Sequence, residues 1–327
     1  MAKVKALVMF SGGLDSMLAT KLILNQGIEV EALNFSGFFC SCKAGQGTVD
    51  AAKNLGVPIT VVNVGSAYLK MLRNPKHGYG KNMNPCVDCK IFMLKEAKKH
   101  ADAIGASFIF TGEVLDERPM SQYFRALQII EEESGLKGRL LRPLSAKLLP
   151  ATVAEKKGLV DRDKLLGFRG RSRKPQIKLA AEFGIGHFPS PAGGCLLTEA
   201  EFANRLRDLF KFRKRVSVAD VALLRVGRHF RFGENKIIVG RNERENKALN
   251  DEKAKNNYYF EVPEISGPIT ILQGNKTKKA IKMAAALTAF YSDAKSDTVT
   301  VRFGRERLKK SVTVHVPSRM EVEALRV

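Results

Sequence analysis

Residues 4–24 read VKALVMFSGGLDSMLATKLIL, and this stretch decides the fold. The first part, VKALVMF, is a largely apolar run of the kind that forms a buried strand. From Asp15 onward, apolar residues recur at helical spacing. Gly12 and Gly13 stand between these two patterns. The SGGLDS segment is therefore expected to form the turn from a strand into a helix.

The same alternation of strand and helix continues along the first half of the chain. Further strands are predicted at residues 28–35, 58–65 and 106–113, and helices at 46–56 and 87–105. Strands that alternate with helices predict a doubly wound parallel α/β sheet with helices on both faces. Such sheets bind their ligands at the carboxyl ends of the strands.

The pattern changes near the middle of the chain. From Glu199 onward, helical segments mix with short strands without a βαβ rhythm, which is typical of an α+β fold. A chain of 327 residues is long enough for two domains. We therefore predict an α/β domain at residues 1–197 and a smaller α+β domain at residues 198–327.

Charge indicates the kind of partner. The formal net charge of +22 favours a polyanion, either nucleic acid or a membrane surface. No apolar run approaches the roughly 18 residues of a membrane span. The opening residues run straight into the glycine turn, unlike a signal peptide. The sequence thus predicts a cytoplasmic protein that binds nucleic acid and no membrane.

A glycine pair between strand and helix can form a phosphate cradle. It lets the backbone turn sharply and points N–H groups, together with the helix dipole, at an anion. Ser11 and Ser16 can add hydroxyl donors, and Asp15 could hold Mg²⁺ or a water. An ordinary glycine turn is the alternative for so short a motif. A Walker A loop is excluded because no GK[ST] follows at the required spacing.

The cysteines indicate sulfur or metal chemistry. Five cysteines without a secretory signal argue against a disulfide framework. Cys86 and Cys89 form a C-x-x-C pair in NPCVDCK, and Cys195 follows much later in PAGGCLL. Three thiolates could bind one metal atom or cluster. Three alternatives stay open: a redox dithiol, inert buried cysteines, or a structural zinc site. The fourth zinc ligand could then be Cys40, Cys42 or His187.

Four segments together resemble one family. SGGLDS, NPCVDCK, TGEVLDERPMSQ and RPLS are similar to motifs of PP-loop ATP pyrophosphatases that thiolate tRNA, the 4-thiouridine synthetases and 2-thiouridylases. The resemblance covers roughly residues 1–195. It implies that ATP adenylates a uridine carbonyl oxygen, with release of pyrophosphate, and that sulfur then displaces AMP. The ATP-binding residues that it implies are Ser11, Gly12, Gly13, Asp15, Ser16, Gly112 and Glu113.

The resemblance also implies how sulfur is handled. Cluster-dependent members hold a [4Fe-4S] centre on three cysteines, here Cys86, Cys89 and Cys195, whereas others use a persulfide on a catalytic cysteine. The predicted catalytic residues are Asp15, Cys86 and Cys195, and Arg118 or Arg142 could stabilise charge at the α-phosphate. Compared with these families, we expect no rhodanese-like carrier after the cradle domain, which favours the cluster, and no RNA-binding domain ahead of the cradle, which leaves the RNA contact to be assigned elsewhere. The sulfur donor, sulfide or a cysteine desulfurase, is left open.

The basic tail suggests where RNA binds. IIVGRNERENKALN resembles a segment of the RNA-binding domain called NFACT-R. The predicted RNA contacts are Arg228, Arg231, Arg241 and Arg244, with Phe230 and Phe232 interleaved. Basic surfaces of this kind bind phosphates and suit a folded tRNA. A solvated charged face over a phenylalanine core is the alternative. Two further basic runs, RLRDLFKFRKR and GFRGRSRK, favour RNA binding.

Three functions fit the sequence. The first is an ATP-dependent tRNA sulfurtransferase that forms thiouridine. The second is a PP-loop synthase that forms a deazaguanine nitrile or an amide on a small molecule and carries structural zinc. The third is an RNA-binding module whose cradle only senses nucleotide. The sequence leaves open which uridine is modified, the roles of Cys40 and Cys42, and the oligomeric state, with a homodimer as one option.

Overall fold

The computed structural model describes residues 4–36, 39, 46–188, 194–251 and 256–327. The chain divides into two units, Met1–Glu199 and Ala200–Val327. Cys40 and Cys42 lie outside the described residues. Among the described residues, none of the helices combines the length and the apolar character that crossing a bilayer requires.

The N-terminal unit is built on a five-stranded parallel sheet with the order β3-β2-β1-β4-β5. Its strands are β1 (Lys5–Met9), β2 (Glu29–Ser36), β3 (Ile59–Asn63), β4 (Phe108–Thr111) and β5 (Leu140–Leu141). From β1 the chain first builds the sheet in one direction and then returns to build it in the other. The strand order therefore reverses between β1 and β4, which is where such sheets bind ligands.

Helices cover both faces of this sheet. They are α1 (Leu14–Leu24), α2 (Gln46–Asn54), α3 (Ser66–Arg73), α4 (Cys86–Ala103), α5 (Phe124–Ser134), α6 (Val153–Lys156) and α7 (Lys174–Glu182). Ala6 and Val8 of β1 belong to one core with Leu18 of α1. Leu7, which points the opposite way, belongs to a second core with Leu94 of α4. The predicted doubly wound α/β fold is confirmed.

The basic segment at residues 164–185 is less helical than its composition predicts. Its α-helix is confined to Lys174–Glu182. Pro175 lies in the first turn of that helix, where its missing N–H costs nothing. Gly170, with a φ of +85°, lies in the left-handed region just before it. The preceding basic residues therefore form a loop rather than a longer helix.

The C-terminal unit contains a six-stranded antiparallel sheet with the order β11-β10-β8-β9-β7-β6. Its strands are β6 (Arg228–Phe232), β7 (Asn235–Val239), β8 (Tyr258–Glu261), β9 (Thr270–Gln273), β10 (Thr298–Gly304) and β11 (Lys310–His315). Its helices are α8 (Ala200–Phe212), α9 (Val218–Leu223), α10 (Glu243–Asp251), α11 (Lys278–Phe290) and α12 (Arg319–Ala324).

Helix α11 supplies much of the core of this unit. Its buried alanines and Leu287 share one apolar cluster with Phe260 of β8 and Val301 of β10. Small residues at helical spacing let the helix lie close to the sheet. The predicted α+β architecture is confirmed, although sequence patterning did not identify β8 and β9.

Candidate active site

The diglycine turn lies directly after β1. Gly12 has a φ of +73°, which favours glycine. A Cβ at this position would stand 3.0 Å from Oγ1 of Thr48, which belongs to α2. The same Thr48 hydroxyl donates a hydrogen bond to the carbonyl oxygen of Ser11 over 3.4 Å. The turn therefore needs glycine for both its backbone conformation and its close contact with α2.

Two serine hydroxyls brace the start of α1. Ser11 Oγ donates to Ser16 Oγ at 3.2 Å, and Ser16 Oγ donates to the carbonyl oxygen of Gly13 at 2.8 Å. The backbone N–H of Gly13 donates to Ser11 Oγ at 3.3 Å. Helix α1 begins without a side-chain cap, so its first N–H groups face outward from the turn. This is the arrangement that binds anions at helix N-termini.

Gly112 brings the loop after β4 against the same turn. A Cβ at position 112 would stand 2.5 Å from the carbonyl carbon of Asp15 and 2.5 Å from the backbone nitrogen of Ser16. Since β4 pairs directly with β1, the two segments meet at the carboxyl edge of the sheet. The structure thus brings together the residues that the sequence predicts as ATP contacts after β1 and after β4.

Asp15 lies in a mixed charged environment. Burial raises the pKa of its carboxyl group, and the nearby guanidinium groups of Arg173 and Arg118 act in the opposite direction. The pKa of Glu117 is also raised, first by burial and then by the negative charge of Asp15. Two carboxylates and two guanidinium groups therefore lie within electrostatic range of one another at the edge of the turn.

Several buried polar atoms around Asp15 lack partners. Among the described residues, Oδ1 of Asp15, Nε of Arg173 and both polar atoms of the Gln176 side chain form no hydrogen bond of normal geometry. The Gln176 amide is nevertheless close enough to Asp15 to lower the pKa of that carboxyl group slightly. Gln176 is only 1% exposed. A buried polar group without a partner costs about 1–3 kcal/mol. This arrangement indicates that a polar ligand, ion or water completes the site.

Sequence reasoning missed Arg173 and Gln176 as site residues. It assigned Arg173 to a basic surface run, and it gave Gln176 no role. The structure places Arg173 at the N-cap of α7 and Gln176 in its first turn, and α7 packs against α1. No local spacing signals this contact, because α7 is far from the turn in sequence. A glutamine among the apolar positions of a helix was the available hint.

Glu113 is part of a buried ion network. Lys90 Nζ binds its Oε1, and Nε of Arg142 donates to its Oε2 at 3.0 Å. Burial alone would raise the pKa of Glu113, but Lys90 and Arg142 lower it to about 2. Arg142 is 2% exposed and also binds Glu131. Its guanidinium is therefore committed to two carboxylates, and Arg118 and Arg173 are the guanidinium groups beside Asp15.

Backbone contacts bring the distant cysteine segments together. Cys86 is the first residue of α4, and Cys195 immediately precedes a short 3₁₀ turn. The N–H of Met83 donates to the carbonyl oxygen of Leu197 at 3.0 Å. Nδ2 of Asn82 donates to the carbonyl oxygen of Thr198 at 2.7 Å. These bonds hold the segment after Cys195 against the loop that leads into Cys86.

The three thiols lie within electrostatic range of one another. The pKa of Cys89 is raised to about 12, mainly by burial and in smaller part by Cys86 and Cys195. The hydroxyl of Tyr68, which donates to its Sγ at 3.2 Å, acts in the opposite direction. Burial and Cys86 also raise the pKa of Cys195. Cys86 Sγ donates to Ser121 Oγ at 3.1 Å. The structure thus brings together the three cysteines that the sequence predicts as partners.

The three thiols that could serve as metal ligands are present, but they do not form an assembled metal centre. Within the ranges that the structure describes, no three His, Cys, Asp or Glu side chains are arranged as a metal-binding group. Thiolates are the ligand type of iron–sulfur clusters, so the chemistry of the three side chains fits such a group although their arrangement does not form one here. His187, an optional zinc ligand in the sequence prediction, is exposed.

The four arginines that are predicted to contact RNA differ in the contacts that they make within the protein. Arg231 donates to Asp208 at 2.8 Å, and its guanidinium lies 4.1 Å from the centre of the Phe212 ring. Arg228 lies 4.4 Å from the centre of the Tyr291 ring. Arg241 pairs with a glutamate one helical turn later, and Arg244 is exposed. Of the interleaved phenylalanines, Phe230 is fully buried, so it belongs to the core rather than to a binding surface.

The sheet order and the glycine turn define the N-terminal unit as a doubly wound α/β domain with an anion-binding type of turn after its first strand. Residues 1–148 match the model of the family described as "Thiamine biosynthesis protein (ThiI)". Residues 227–325 match the family described as "NFACT protein RNA binding domain". The resemblances predicted for the two parts of the chain are thereby confirmed.

Individual relatives agree with these matches. The chain is 21% identical to a tRNA-specific 2-thiouridylase MnmA of Clostridium botulinum over 94% of this chain and 90% of that protein. It is 29% identical to a probable tRNA sulfurtransferase of Alkaliphilus metalliredigens over 43% of this chain. The chain spans about a third of the length of other curated relatives that it matches, 36% in several cases, including a 2-thiouridylase from another C. botulinum strain.

One solved structure also aligns with part of this chain. A 4-thiouridine synthetase–RNA complex with bound ATP aligns with 56% of this chain and 52% of its own, at 18% identity and a TM-score of 0.33.

Proposed function

We propose that the protein is an ATP-dependent tRNA sulfurtransferase that replaces a uridine carbonyl oxygen with sulfur. One observation carries the proposal: Arg118 lies within electrostatic range of both Asp15 in the cradle and Cys195 among the thiols. A single charged side chain therefore links the nucleotide turn to the sulfur-bearing residues. The family matches and the names of the relatives support the same reaction.

The cradle would bind ATP through its phosphates. The N–H groups of Gly12 and Gly13 and the hydroxyls of Ser11 and Ser16 would donate to phosphate oxygens, with Gly112 and Glu113 forming the opposite wall. Asp15 and Glu117 would hold Mg²⁺, since hard carboxylate oxygens are its usual protein ligands. The ion would offset phosphate charge. Arg118 and Arg173 would stabilise the charge that develops on the phosphates during transfer.

The proposed reaction has two steps. The uridine carbonyl oxygen attacks the α-phosphorus of ATP, and the bond to pyrophosphate breaks. Sulfur then attacks the activated carbon, and AMP leaves with the original oxygen. The first step is needed because an amide-like oxygen is a poor leaving group, whereas AMP is a good one. The positively charged groups beside Asp15 assist the first step by binding the departing pyrophosphate.

Sulfur would be handled by Cys86, Cys89 and Cys195. These three thiolates would hold a [4Fe-4S] cluster, which when bound supplies an open iron position for a sulfur atom. In the alternative mechanism, Cys86 or Cys195 acts as a catalytic persulfide and the other thiol releases the sulfur as a disulfide forms. With the cluster, the donor would be sulfide or a cysteine desulfurase. In the persulfide mechanism, the donor would be the persulfide of a cysteine desulfurase, which transfers its outer sulfur to the thiol without a change in oxidation state.

The C-terminal unit would bind the tRNA substrate. Its match to an RNA-binding domain and the chain's net charge of +22 support this role. Phosphate binding by lysine and arginine gives affinity without sequence choice, which suits recognition of a folded RNA by shape. Residues 1–197 would then form the ATP-binding and sulfur-transfer domain and residues 198–327 the RNA-binding domain, in a cytoplasmic enzyme.

Nucleoside mass spectrometry of cellular tRNA tests this proposal. A strain without the protein should lack one thiolated uridine, and the wild-type chain should restore it. The Asp15→Asn chain should not restore it, because the cradle loses its carboxylate while the fold is kept. An unchanged set of thiolated nucleosides in the deletion strain would rule out the proposal.

A further inference from the structure

A pocket of about 340 Å³ lies in the C-terminal unit. It is formed where the end of α8, the strand β7 and the turn between β9 and α11 meet. Its lining includes Lys211, Phe212, Arg213, Lys236 and Asn275. Lys211, Phe212 and Arg213 belong to the basic run RLRDLFKFRKR, which favours RNA binding in the sequence analysis without a role for any single residue.

Cationic groups dominate this pocket. Lys211, Arg213, Arg231 and Lys236 line it, and Glu234 is the carboxylate among its lining residues. Asp208 fixes two of the cations, since it pairs with Arg231 and with Lys236 at 3.2 Å. Lys236 is only 4% exposed, so this ion pair forms a rigid buried base for the pocket. Lys211 is exposed at its rim.

The start of α11 adds positive charge to the same place. Gly274 and Asn275 line the pocket, and Thr277 caps the helix by accepting a hydrogen bond from the N–H of Ala280. The first turn of α11 carries Lys278 and Lys279 and no acidic residue. Cations near a helix N-terminus oppose the helix dipole and reduce stability. An anion bound there would offset this repulsion.

Lys276 connects this helix start with the pocket wall. The residue is half-buried, and its pKa is lowered by burial and by the charges of Arg305 and Arg213. Arg213 in turn donates to Asp220 at 2.7 Å, which fixes its position. Lys276 directly follows the lining residue Asn275 and lies within electrostatic range of the lining residue Arg213.

An aromatic ring completes the arrangement. Phe212 lines the pocket and is 38% exposed, although a phenylalanine at the end of an amphipathic helix is more often buried. Arg231 lies 4.1 Å from the ring centre and Lys211 5.5 Å from it. Exposed aromatic rings flanked by cations are the platforms on which unpaired bases stack.

We propose that this pocket binds one unpaired nucleotide of RNA, with its base stacked on Phe212 and its phosphate held by Lys211, Arg213 and Lys276. The inference rests on the proposed RNA binding by the C-terminal unit and makes it specific. A base-paired nucleotide has both faces stacked inside a helix, so it cannot use this ring. The pocket selects loops or single-stranded ends over duplex.

Fluorescence anisotropy with the full-length protein tests the inference. The probes are a labelled oligouridine, an abasic strand of the same charge, and a blunt-ended RNA duplex without a loop. Phe212→Leu should weaken binding of the oligouridine about tenfold, the loss expected for one base–aromatic stack, and leave the abasic strand unchanged. Phe212→Tyr, which keeps the ring, should bind like the wild type.

Salt dependence tests the phosphate contact. Lys276→Ala should reduce the slope of log affinity against log salt by about one for the oligouridine. Lys295, exposed beyond the other end of α11, provides the control: Lys295→Ala should keep the wild-type slope. Each variant's thermal unfolding would be checked against that of the wild type.

The outcomes separate the two proposals. If Phe212→Leu binds all three probes like the wild type, or if the abasic strand binds as tightly as oligouridine, the nucleotide pocket is wrong although RNA binding stands. If the wild type thiolates tRNA but does not bind oligouridine, the nucleotide pocket is wrong and the proposed reaction stands. If the wild type binds no RNA at all, both the pocket and the proposed function are wrong.

Discussion

Gly112 touches the backbone of Asp15 so closely that a Cβ on Gly112 would lie 2.5 Å from the Asp15 carbonyl carbon. Real Cβ atoms do not approach backbone so closely, because the overlap is strongly repulsive. This contact fixes the loop after β4 against the first turn of α1. The nucleotide cradle thus depends on a residue from the neighbouring strand as much as on its own glycines.

Gly112→Ala is expected to separate the loop from the cradle. The added methyl group must displace backbone, which costs about 1–3 kcal/mol of unfolding free energy, and ATP binding should be lost or strongly weakened. Calorimetric titration with ATP and urea unfolding measure the two effects.

Gly47→Ala is the matched control: Gly47 lies in α2 with no atom within 4 Å of its Cβ position. That change should leave ATP binding intact and stabilise the helix by up to about 1 kcal/mol. Equal ATP affinity in both variants would contradict this account.

Gln176→Leu should lower the affinity for ATP without lowering the stability of the fold. The leucine removes a buried amide that forms no hydrogen bond of normal geometry and has the weakest effect of the groups that act on the pKa of Asp15. The nucleotide-free protein should therefore be about as stable as the wild type. Affinity for ATP should nevertheless fall about tenfold, the loss of about one hydrogen bond to a charged group.

Gln26→Leu is the control, since Gln26 forms hydrogen bonds with the backbone of Asp161 on the surface. It should lose a little stability and no ATP affinity. A large loss of stability in Gln176→Leu would show that the amide is already satisfied.

Acid should weaken the fold through Glu113. Its pKa is lowered from 4.5 to about 2 by Lys90 and Arg142, so the unfolded chain takes up this proton first as the pH falls. The stability that Glu113 contributes is complete above about pH 4.5 and is lost as the pH drops toward 2. Glu113→Gln should lower the unfolding free energy by about 3 kcal/mol at neutral pH and remove this part of the acid dependence.

The control for Glu113 is an exposed ion pair. Glu132 pairs with Lys137 at 3.0 Å, and both side chains are more than half exposed. Glu132→Gln should change stability by less than about 1 kcal/mol, because water screens such a pair. Urea unfolding at a series of pH values measures both variants. Identical pH profiles for wild type and Glu113→Gln would contradict the assigned ion network.

Cys89 should be slow to alkylate in protein without bound metal. Its pKa is raised to about 12, so little thiolate exists at neutral pH, and the thiolate is the nucleophile. Peptide mapping after iodoacetamide treatment should show Cys89 unmodified while it reacts readily once the protein is unfolded. Tyr68→Phe removes a hydrogen bond that lowers the pKa of Cys89 and should slow the reaction further. Rapid labelling of native Cys89 at neutral pH would show that its sulfur is not enclosed.

Features encoded locally were predictable from sequence. The apolar run, Gly12 and Gly13, and the following helical spacing identify the first strand, turn and helix, and the alternation that follows identifies the parallel sheet. The spacing of Cys86 and Cys89 marks a thiol pair. In each case a few adjacent residues carry the physical signal, because backbone conformation and burial pattern act over short distances.

Features that depend on distant contacts were not predictable. The roles of Arg173 and Gln176 arise because α7 packs on α1, and the pairing of Arg231 with Asp208 arises because α8 lies beside β6. Charge alone made Arg231 look like a free RNA contact, since its counter-ion lies on another element. The short strands β8 and β9 were missed because four residues carry too little periodicity.

The most direct test of the account is the stoichiometry of the proposed reaction in vitro. Anaerobically reconstituted protein would be given ATP, sulfide and unmodified tRNA, and pyrophosphate and thiouridine would be measured in the same samples. The account predicts that both products appear in equal amounts and that both disappear without tRNA or with Asp15→Asn. Thiouridine without pyrophosphate, or neither product from protein that binds ATP and tRNA, would contradict it.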